Sequence, residues 1–255
     1  MNNLTLKNIS FEVNNSDTGV HTILKDINFE IKPGEFVTLF GKSGCGKSTL
    51  LNIISGLQHN YTGDVLLDGD KAEVPGQHIS FVFQEDALFS FRTVQKNIEF
   101  GLELKGIGKK ERRKIAEDVL KKVGLFEHRK KYPIKDKLSG GMKQRVEIAS
   151  VLSDQSSVIL MDEPFSALDD ITREEMQQFL LDVWKEFGKT ILFVTHNKDE
   201  AIFLSDRILL MGNPNGSTQI KELIVNLERP RNPNTIEFLE LKKILSEHLK
   251  NNHAE

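Results

Sequence analysis

Only one cysteine, Cys45, occurs in the 255 residues. A disulfide framework within the chain is therefore excluded, and a reducing compartment is favoured. No apolar run approaches the 18 or so residues that a membrane-spanning helix needs, and the segment Met1-Asn2-Asn3-Leu4-Thr5-Leu6-Lys7 has no signal-peptide apolar core. The expectation is an intracellular chain whose membrane role needs a partner. Internal repeats, heptad arrays and low-complexity tracts are missing too. So is an excess of positive charge: 34 Lys and Arg stand against 37 Asp and Glu, a net of −3, which argues against a generic nucleic-acid binder. The charge is nonetheless uneven. Residues 105–145 hold 15 Lys and Arg against 5 Asp and Glu, a net of +10, and leave −13 for the rest. A solvated helix face accounts for the run Lys109-Lys110-Glu111-Arg112-Arg113-Lys114; nearness to an anionic membrane surface is the sharper reading.

What is present is an alternation of strand and helix signals. Leu4, Leu6, Ile9 and Phe11 alternate with polar residues, as do Ile27, Phe29 and Ile31, predicting two antiparallel strands over 4–13 and 23–31. Asn14-Asn15-Ser16-Asp17-Thr18-Gly19 is the loop between them and Pro33-Gly34 a further turn. Phe36-Val37-Thr38-Leu39-Phe40 reads as a strand and Leu50-Leu51-Asn52-Ile53-Ile54 as a helix. Val65-Leu66-Leu67 ends a strand at the turn Asp68-Gly69, and a strand over 78–83 ends at Gln84. From Val94 to about Gln155 the pattern is helical, with Ile115, Val119, Leu120 and Val123 in one stripe. Val158-Ile159-Leu160-Met161 and Thr190-Ile191-Leu192-Phe193-Val194 read as buried strands. Helices follow over 173–187, stopped by Gly188, and over 199–205. Residues 208–211 and 222–227 read as edge strands around the turn Gly212-Asn213-Pro214-Asn215-Gly216, and a last helix starts near Thr235. This alternation predicts a mostly parallel sheet flanked by helices. The expected layout is one α/β domain over 1–255, with an N-terminal antiparallel β subdomain, a core at about 1–84 and 156–255, and an inserted helical subdomain at about 85–155.

The chemistry centres on Gly41-Lys42-Ser43-Gly44-Cys45-Gly46-Lys47-Ser48-Thr49. A strand precedes it and a helix follows, with Gly41, Gly46, Lys47 and Ser48 at P-loop spacing. Glycines let successive backbone N–H groups turn inward on an anion. The following helix aims its unpaired N–H groups at the same anion. Lys47 adds a charge for β- and γ-phosphates, and Ser48 a hydroxyl for Mg²⁺. Cys45, at that helix start, has two readings: a small residue filling the turn, or a thiol whose pKa the helix start lowers. Ligands of such sheets bind at the carboxyl ends of strands, where Gln84, Asp162, Glu163 and His196 fall. Asp162 suits a second Mg²⁺ handle, and Glu163 a base for an attacking water. Taken singly, Gln84 and His196 carry little; a satisfied core histidine is the plain alternative. In Leu138-Ser139-Gly140-Gly141-Met142, Ser139 is a good N-cap, and the helix start is a second place for an anion.

With these motifs in this order over nearly the whole chain, the sequence resembles the ATP-hydrolysing subunit of an ABC transporter. Residues 41–49 match Walker A, Gln84 the Q-loop, 138–142 the signature motif, 158–163 Walker B, Ser166-Ala167-Leu168-Asp169 the D-loop and His196 the switch histidine. The resemblance implies that two such subunits, as a homodimer, sandwich two ATP molecules. Ser139, Gly140 and Gly141 of one would face the γ-phosphate held by Lys47 of the other. Glu163 would polarise water, His196 hold the γ-phosphate, and Gln84 touch and sense Mg²⁺. It implies transmembrane permease subunits, an extracytoplasmic solute-binding protein, a peripheral place on the cytoplasmic face of the membrane, and no nucleic acid. The run Phe83-Gln84-Glu85-Asp86-Ala87-Leu88-Phe89-Ser90-Phe91-Arg92-Thr93-Val94 is similar to that of nitrate, sulfonate and taurine importers. So are 167–173 with Met176-Gln177, and Arg229-Pro230-Arg231, after which no regulatory C-terminal domain is expected. The implied solute is a small anion or a heterocycle such as a thiamine-type precursor. Three positions depart from the pattern: Val13, or Phe11, where an aromatic stacks on adenine; Ser90-Phe91 for Pro-Trp; and Lys143 for Arg. A soluble ABC ATPase outside transport would carry coiled-coil inserts, zinc modules or a tandem domain, and a P-loop phosphotransferase would lack the cradle at 139–141.

Overall fold

A computed structural model of the chain describes residues 2–15, 19–72, 78–84, 87–154, 156–212 and 218–251. The strands are β1 (Leu4–Asn15), β2 (Gly19–Ile31), β3 (Phe36–Phe40), β4 (Thr62–Leu67), β5 (Asp70–Lys71), β6 (Ile79–Val82), β7 (Val158–Asp162), β8 (Thr190–Thr195), β9 (Arg207–Gly212) and β10 (Gln219–Ile224). The helices are α1 (Lys47–Ile54), α2 (Val94–Leu104), α3 (Lys109–Lys122), α4 (Gly140–Ser153), α5 (Asp170–Phe187), α6 (Lys198–Leu204) and α7 (Ile236–Asn251). They fall into two compact units, Met1–Gln77 with Lys189–Glu255, and His78–Gly188.

In the first unit an antiparallel sheet runs β2-β1-β4-β5. Leu4 pairs with Ile31 and Leu6 with Phe29, and these four bury one face of that register, while Thr5 and Glu30 between them stay polar and less buried. The β1–β2 ladder slips beyond Leu6, where Asn8 and Asp26 take positive φ of 52° and 50°. Side chains satisfy the freed amides: Asn8 N–H donates to Asn28 Oδ1 (2.8 Å) and Asp26 N–H to Ser10 Oγ (2.9 Å). Asp68-Gly69, with φ of 53° and 92°, is a two-residue turn of the kind that matches strand twist. The Lys32–Glu35 turn has Pro33 second and Gly34 third, at φ 76°, as a type II turn requires.

That turn leads into β3, buried at all five positions and paired in parallel with β8 and β9. β10 lies antiparallel on the far side of β9. The sequence expectation is corrected on two points. β9 is interior rather than an edge, because Ile208, Leu209, Leu210 and Met211 are all buried. The edge strand β10 spans 219–224 rather than 222–227, since Val225 turns into the core beside Phe40, Ala201, Ile202, Phe238 and Leu245. The expected turns at 16–18 and 213–216 lie outside the described residues.

In the second unit β6 and β7 pair in parallel and α2, α3, α4 and α5 pack in succession. Ala116, Val119 and Leu120 form the buried stripe of α3, which Val123 continues at its C-cap, while Ile115 is only half-buried. The basic run is partly consumed by the fold. Arg112 reaches Glu99 and Glu103 (3.7 Å each), tying α3 to α2, and Arg113 pairs with Glu117 (2.9 Å). Among the described residues, Lys109, Lys110 and Lys114 make no ion pair.

Candidate nucleotide site

The loop between β3 and α1 is built as an anion cradle. Gly46 at φ 100° caps α1 without a side-chain hydrogen bond, leaving the first amides of the helix facing outward. A Cβ at Gly46 would lie 2.9 Å from Leu24 Cδ2 and 3.2 Å from Met211 Cε. A Cβ at Gly41 would lie 2.4 Å from Met211 O. No other residue type fits either place. Lys47 is buried, and its Nζ donates to Gly41 O (2.9 Å) and Lys42 O (2.7 Å). The ammonium therefore sits within the loop, folded back on its carbonyls. Ser43, Gly44 and Ser48 are exposed, Lys42, Cys45 and Thr49 half-buried. At Cys45 the lowered thiol is the reading that fails: burial pushes its thiol up, and Lys47 offsets this only in part. It is a packed turn residue and not an activated thiol.

His196 follows β8 and is exposed, so the plain alternative of a core histidine is set aside. Its turn is fixed from both sides. Thr195 Oγ1 donates to buried Glu200 Oε2 (2.6 Å) and accepts from Asn197 N–H (3.0 Å). Asn197 Oδ1 caps α6 by accepting from the amides of Asp199 and Glu200. At the other end of α6, Arg231 is buried and donates to Ile202 O (2.6 Å) and Phe203 O (3.1 Å). Burial, with Arg229 beside it, lowers its guanidinium to about 10. Arg229 adds Leu204 O and Asp206. The Arg-Pro-Arg stretch thus holds the carbonyl end of the helix that begins beside His196. Val13, opposite His21 on the β1–β2 ladder, is exposed, and Phe11, opposite Leu24, is half-buried.

In the second unit, Asp162 ends β7 and is buried. Glu163 follows at φ 43°, in the left-handed region and directly before Pro164. That conformation costs a residue with a Cβ about 1–3 kcal/mol and persists where the surroundings enforce it. Here Ser166 N–H closes a turn on Glu163 O (3.1 Å), Phe165 is fully buried, and Arg173 donates to Phe165 O and Leu168 O. Gln84 is exposed just past β6; its neighbours Glu85 and Asp86 lie outside the described residues.

Ser139 caps α4, its Oγ accepting from Met142 N–H (3.3 Å). Ser139 and Gly140 are exposed, whereas Gly141 turns inward. A Cβ at Gly141 would lie 2.8 Å from Thr172 Cγ2. Thr172 cannot easily retreat, because its Oγ1 and N–H both bond to Asp169, the N-cap of α5 (2.8 and 3.0 Å). Those same bonds hold the Asp169 carboxyl below the usual carboxylate range. Gly141→Ala is therefore expected to cost about 1–3 kcal/mol of overpacking. Gly140→Ala meets only the flexible tip of Leu168, at 3.2 Å, and should cost less. Chemical denaturation of the two variants checks the order. Sequence reasoning missed Thr172 as the link between the 139–141 and 166–169 segments. An N-cap Asp with a Thr three residues on was the available signal.

A glycine cradle ending a parallel strand and opening a helix, with a lysine folded into it, defines a P-loop nucleotide-binding protein. The family model described as ABC transporter matches residues 24–166, and the chain belongs to that family, among its ATP-hydrolysing subunits. It is 50% identical to an uncharacterized ABC transporter ATP-binding protein of Methanocaldococcus jannaschii, over 86% of this chain and 81% of that one. It is 44% identical to the aliphatic sulfonates import ATP-binding protein SsuB of Bacillus cereus, over 89% and 88%. Identity to the taurine import ATP-binding protein TauB of Escherichia coli O157:H7 is 42%, over 84% and 83%. Among solved structures it is similar to a dimeric ATP-binding cassette in a post-hydrolysis state bound to ADP and Pi. There the TM-score is 0.73 and identity 34%, over 88% of this chain and all of the other.

Proposed function

We infer that this chain is the energy-coupling subunit of an importer for a small anionic or heterocyclic solute: a sulfonate or taurine, nitrate, or a thiamine-type precursor. The observation that carries the reading is the cradle at 41–49, built closely around Gly41, Gly46 and Lys47, an arrangement suited to phosphate. Two chains close on two ATP molecules as a homodimer. Lys47 exchanges the carbonyls of Gly41 and Lys42 for β- and γ-phosphate oxygens. Glu163 takes the proton of the attacking water, and His196 holds the γ-phosphate. Ser139, Gly140 and Gly141 offer amides to the γ-phosphate bound by the second chain, and Asp169, on the D-loop, helps to complete that shared arrangement. Val13 offers adenine no aromatic platform; either Phe11, two residues earlier, supplies it, or ATP affinity is modest.

The hydroxyl of Ser48, the carboxylate of Asp162 and the amide oxygen of Gln84 are hard oxygen donors. Such a set suits Mg²⁺, which keeps waters and phosphate oxygens as its other ligands. When bound, the ion neutralises charge on the phosphates. No helix among the described residues is long and apolar enough to cross a membrane. The chain is read as peripheral, held on the cytoplasmic face by permease subunits that an extracytoplasmic binding protein supplies with solute. Co-expression with candidate membrane subunits tests this. A permease complex whose ATPase rate rises with solute-loaded binding protein supports it. A chain that never co-purifies with membrane subunits would favour a soluble ABC ATPase.

A further inference from the structure

Met211 forms the floor of the phosphate loop at both ends. The β3–β9 register runs through Phe40 and Leu210, so Gly41 comes alongside Met211 where the two strands end. The Met211 carbonyl faces Gly41 so closely that a Cβ there would lie 2.4 Å away, and its methyl lies 3.2 Å from where a Gly46 Cβ would be. On its other side Met211 is paired with Ile220 of β10. The same carbonyl oxygen has one more partner. His248 Nε2, on α7, lies 3.2 Å from it. A carbonyl only accepts, so Nε2 carries the hydrogen. Burial, together with Lys221, holds the ring below its ordinary pKa, against the pull of the Met211 bond, and the histidine donates as a neutral imidazole.

The helix that carries His248 is itself anchored to the strand that enters the loop. Phe238 and Leu245 are fully buried in one cluster with Phe40, the residue before Gly41. Lys242 pairs with Asp199 and Lys198 donates to Ser246, tying α7 to α6. His248 is therefore delivered to Met211 by a fixed helix and not by a loose tail.

We propose that His248 is a positioning residue for the nucleotide: by holding Met211 O it fixes the corner at Gly41, and with it the cradle that receives the phosphates. The inference rests on the reading of 41–49 as the ATP cradle. Coupling of this kind is reciprocal, so ATP must also be felt at His248.

The test is calorimetric binding of ATP to the full chain carrying Glu163→Gln, which removes hydrolysis from the measurement. His248→Leu in that background should weaken ATP about fivefold, the size set by one ordinary hydrogen bond. His248→Gln, whose amide N–H can reach the same carbonyl, should stay within about twofold of the parent. Unchanged affinity in His248→Leu overturns the proposal. So does equal weakening in both variants, which assigns the effect to packing of α7. Where His248→Leu fails to fold, the parent decides: the ¹⁵N resonance of His248 Nε2 should shift on adding ATP, and an unmoved resonance overturns the coupling. A parent that binds no ATP would overturn the cradle reading itself, a failure seen before position 248 is touched.

Discussion

Glu163→Gln is expected to lower ATP hydrolysis by about 10²–10⁴-fold, the range a positioned general base supplies, while ATP still binds. Gln keeps the size of Glu and its tolerance of the backbone at φ 43°, so the turn through Pro164 to Ser166 should persist, along with buried Phe165 and the Arg173 bonds. What is lost is the ability to take a proton from water. Trapped ATP should then reveal the second helix start at 139–141 as a partner surface. Light scattering should give a monomer without ATP and a dimer with it. A dimer that forms only with ATP supports the roles given to Lys47, Ser139 and Glu163 together. A monomer under both conditions, with ATP bound, would mean that closure requires the membrane subunits or that 139–141 is wrongly assigned. Repeating the measurement with the co-expressed permease separates those two. Hydrolysis surviving within about tenfold of the native rate would remove Glu163 as the base, since one positioned base is worth more than that.

The cradle was legible in the sequence because its parts are contiguous. Gly41, Gly46, Lys47 and Ser48 act within one strand-to-helix turn, and their spacing carries the geometry. The same holds for Ser139, whose cap reaches only three residues along the chain. What stayed hidden depends on partners far away in sequence. Cys45 sits at a helix start that favours a thiolate, yet the packing around it removes the water that would favour charge. Residues 208–211 look like an edge next to a turn-rich stretch, but β10 covers them at a distance that periodicity does not report. Gly63, in β4, carries no motif that would single it out. A Cβ there would lie 2.4 Å from both Lys7 O and Asn8 O, so it is the room left for the irregularity in β1. Met211 has no polar side chain and no motif, and its contribution to the cradle is a backbone oxygen whose neighbours are 170 residues upstream and 37 residues downstream.

Gly41→Ala should abolish measurable ATP binding and cost about 1–3 kcal/mol of stability, which makes the tightness of the cradle testable by one methyl group. The added Cβ would lie 2.4 Å from Met211 O and 2.9 Å from Cys45 Sγ. The sulfur can give way by rotation, but the carbonyl cannot, since β9 is paired on both sides by β3 and β10. The loop must therefore lift, and the Lys47 ammonium loses the carbonyls of Gly41 and Lys42 as its resting place. A companion substitution separates backbone from side-chain obstruction. Met211→Ala keeps the carbonyl, so it should not rescue Gly41→Ala. It should partly rescue Gly46→Ala, whose added methyl would meet Met211 Cε at 3.2 Å. Gly46→Ala also retains the strain of φ 100° and the Leu24 contact at 2.9 Å, so its recovery stays incomplete. Thermal denaturation and ATP titration of the four variants measure both effects. Native ATP affinity in Gly41→Ala would show that the loop has room to spare, and that closeness to Met211 does not set its shape. Rescue of Gly41→Ala by Met211→Ala would place the obstruction in the side chain and not in the carbonyl, and would move the floor of the cradle from the strand backbone to the methionine itself.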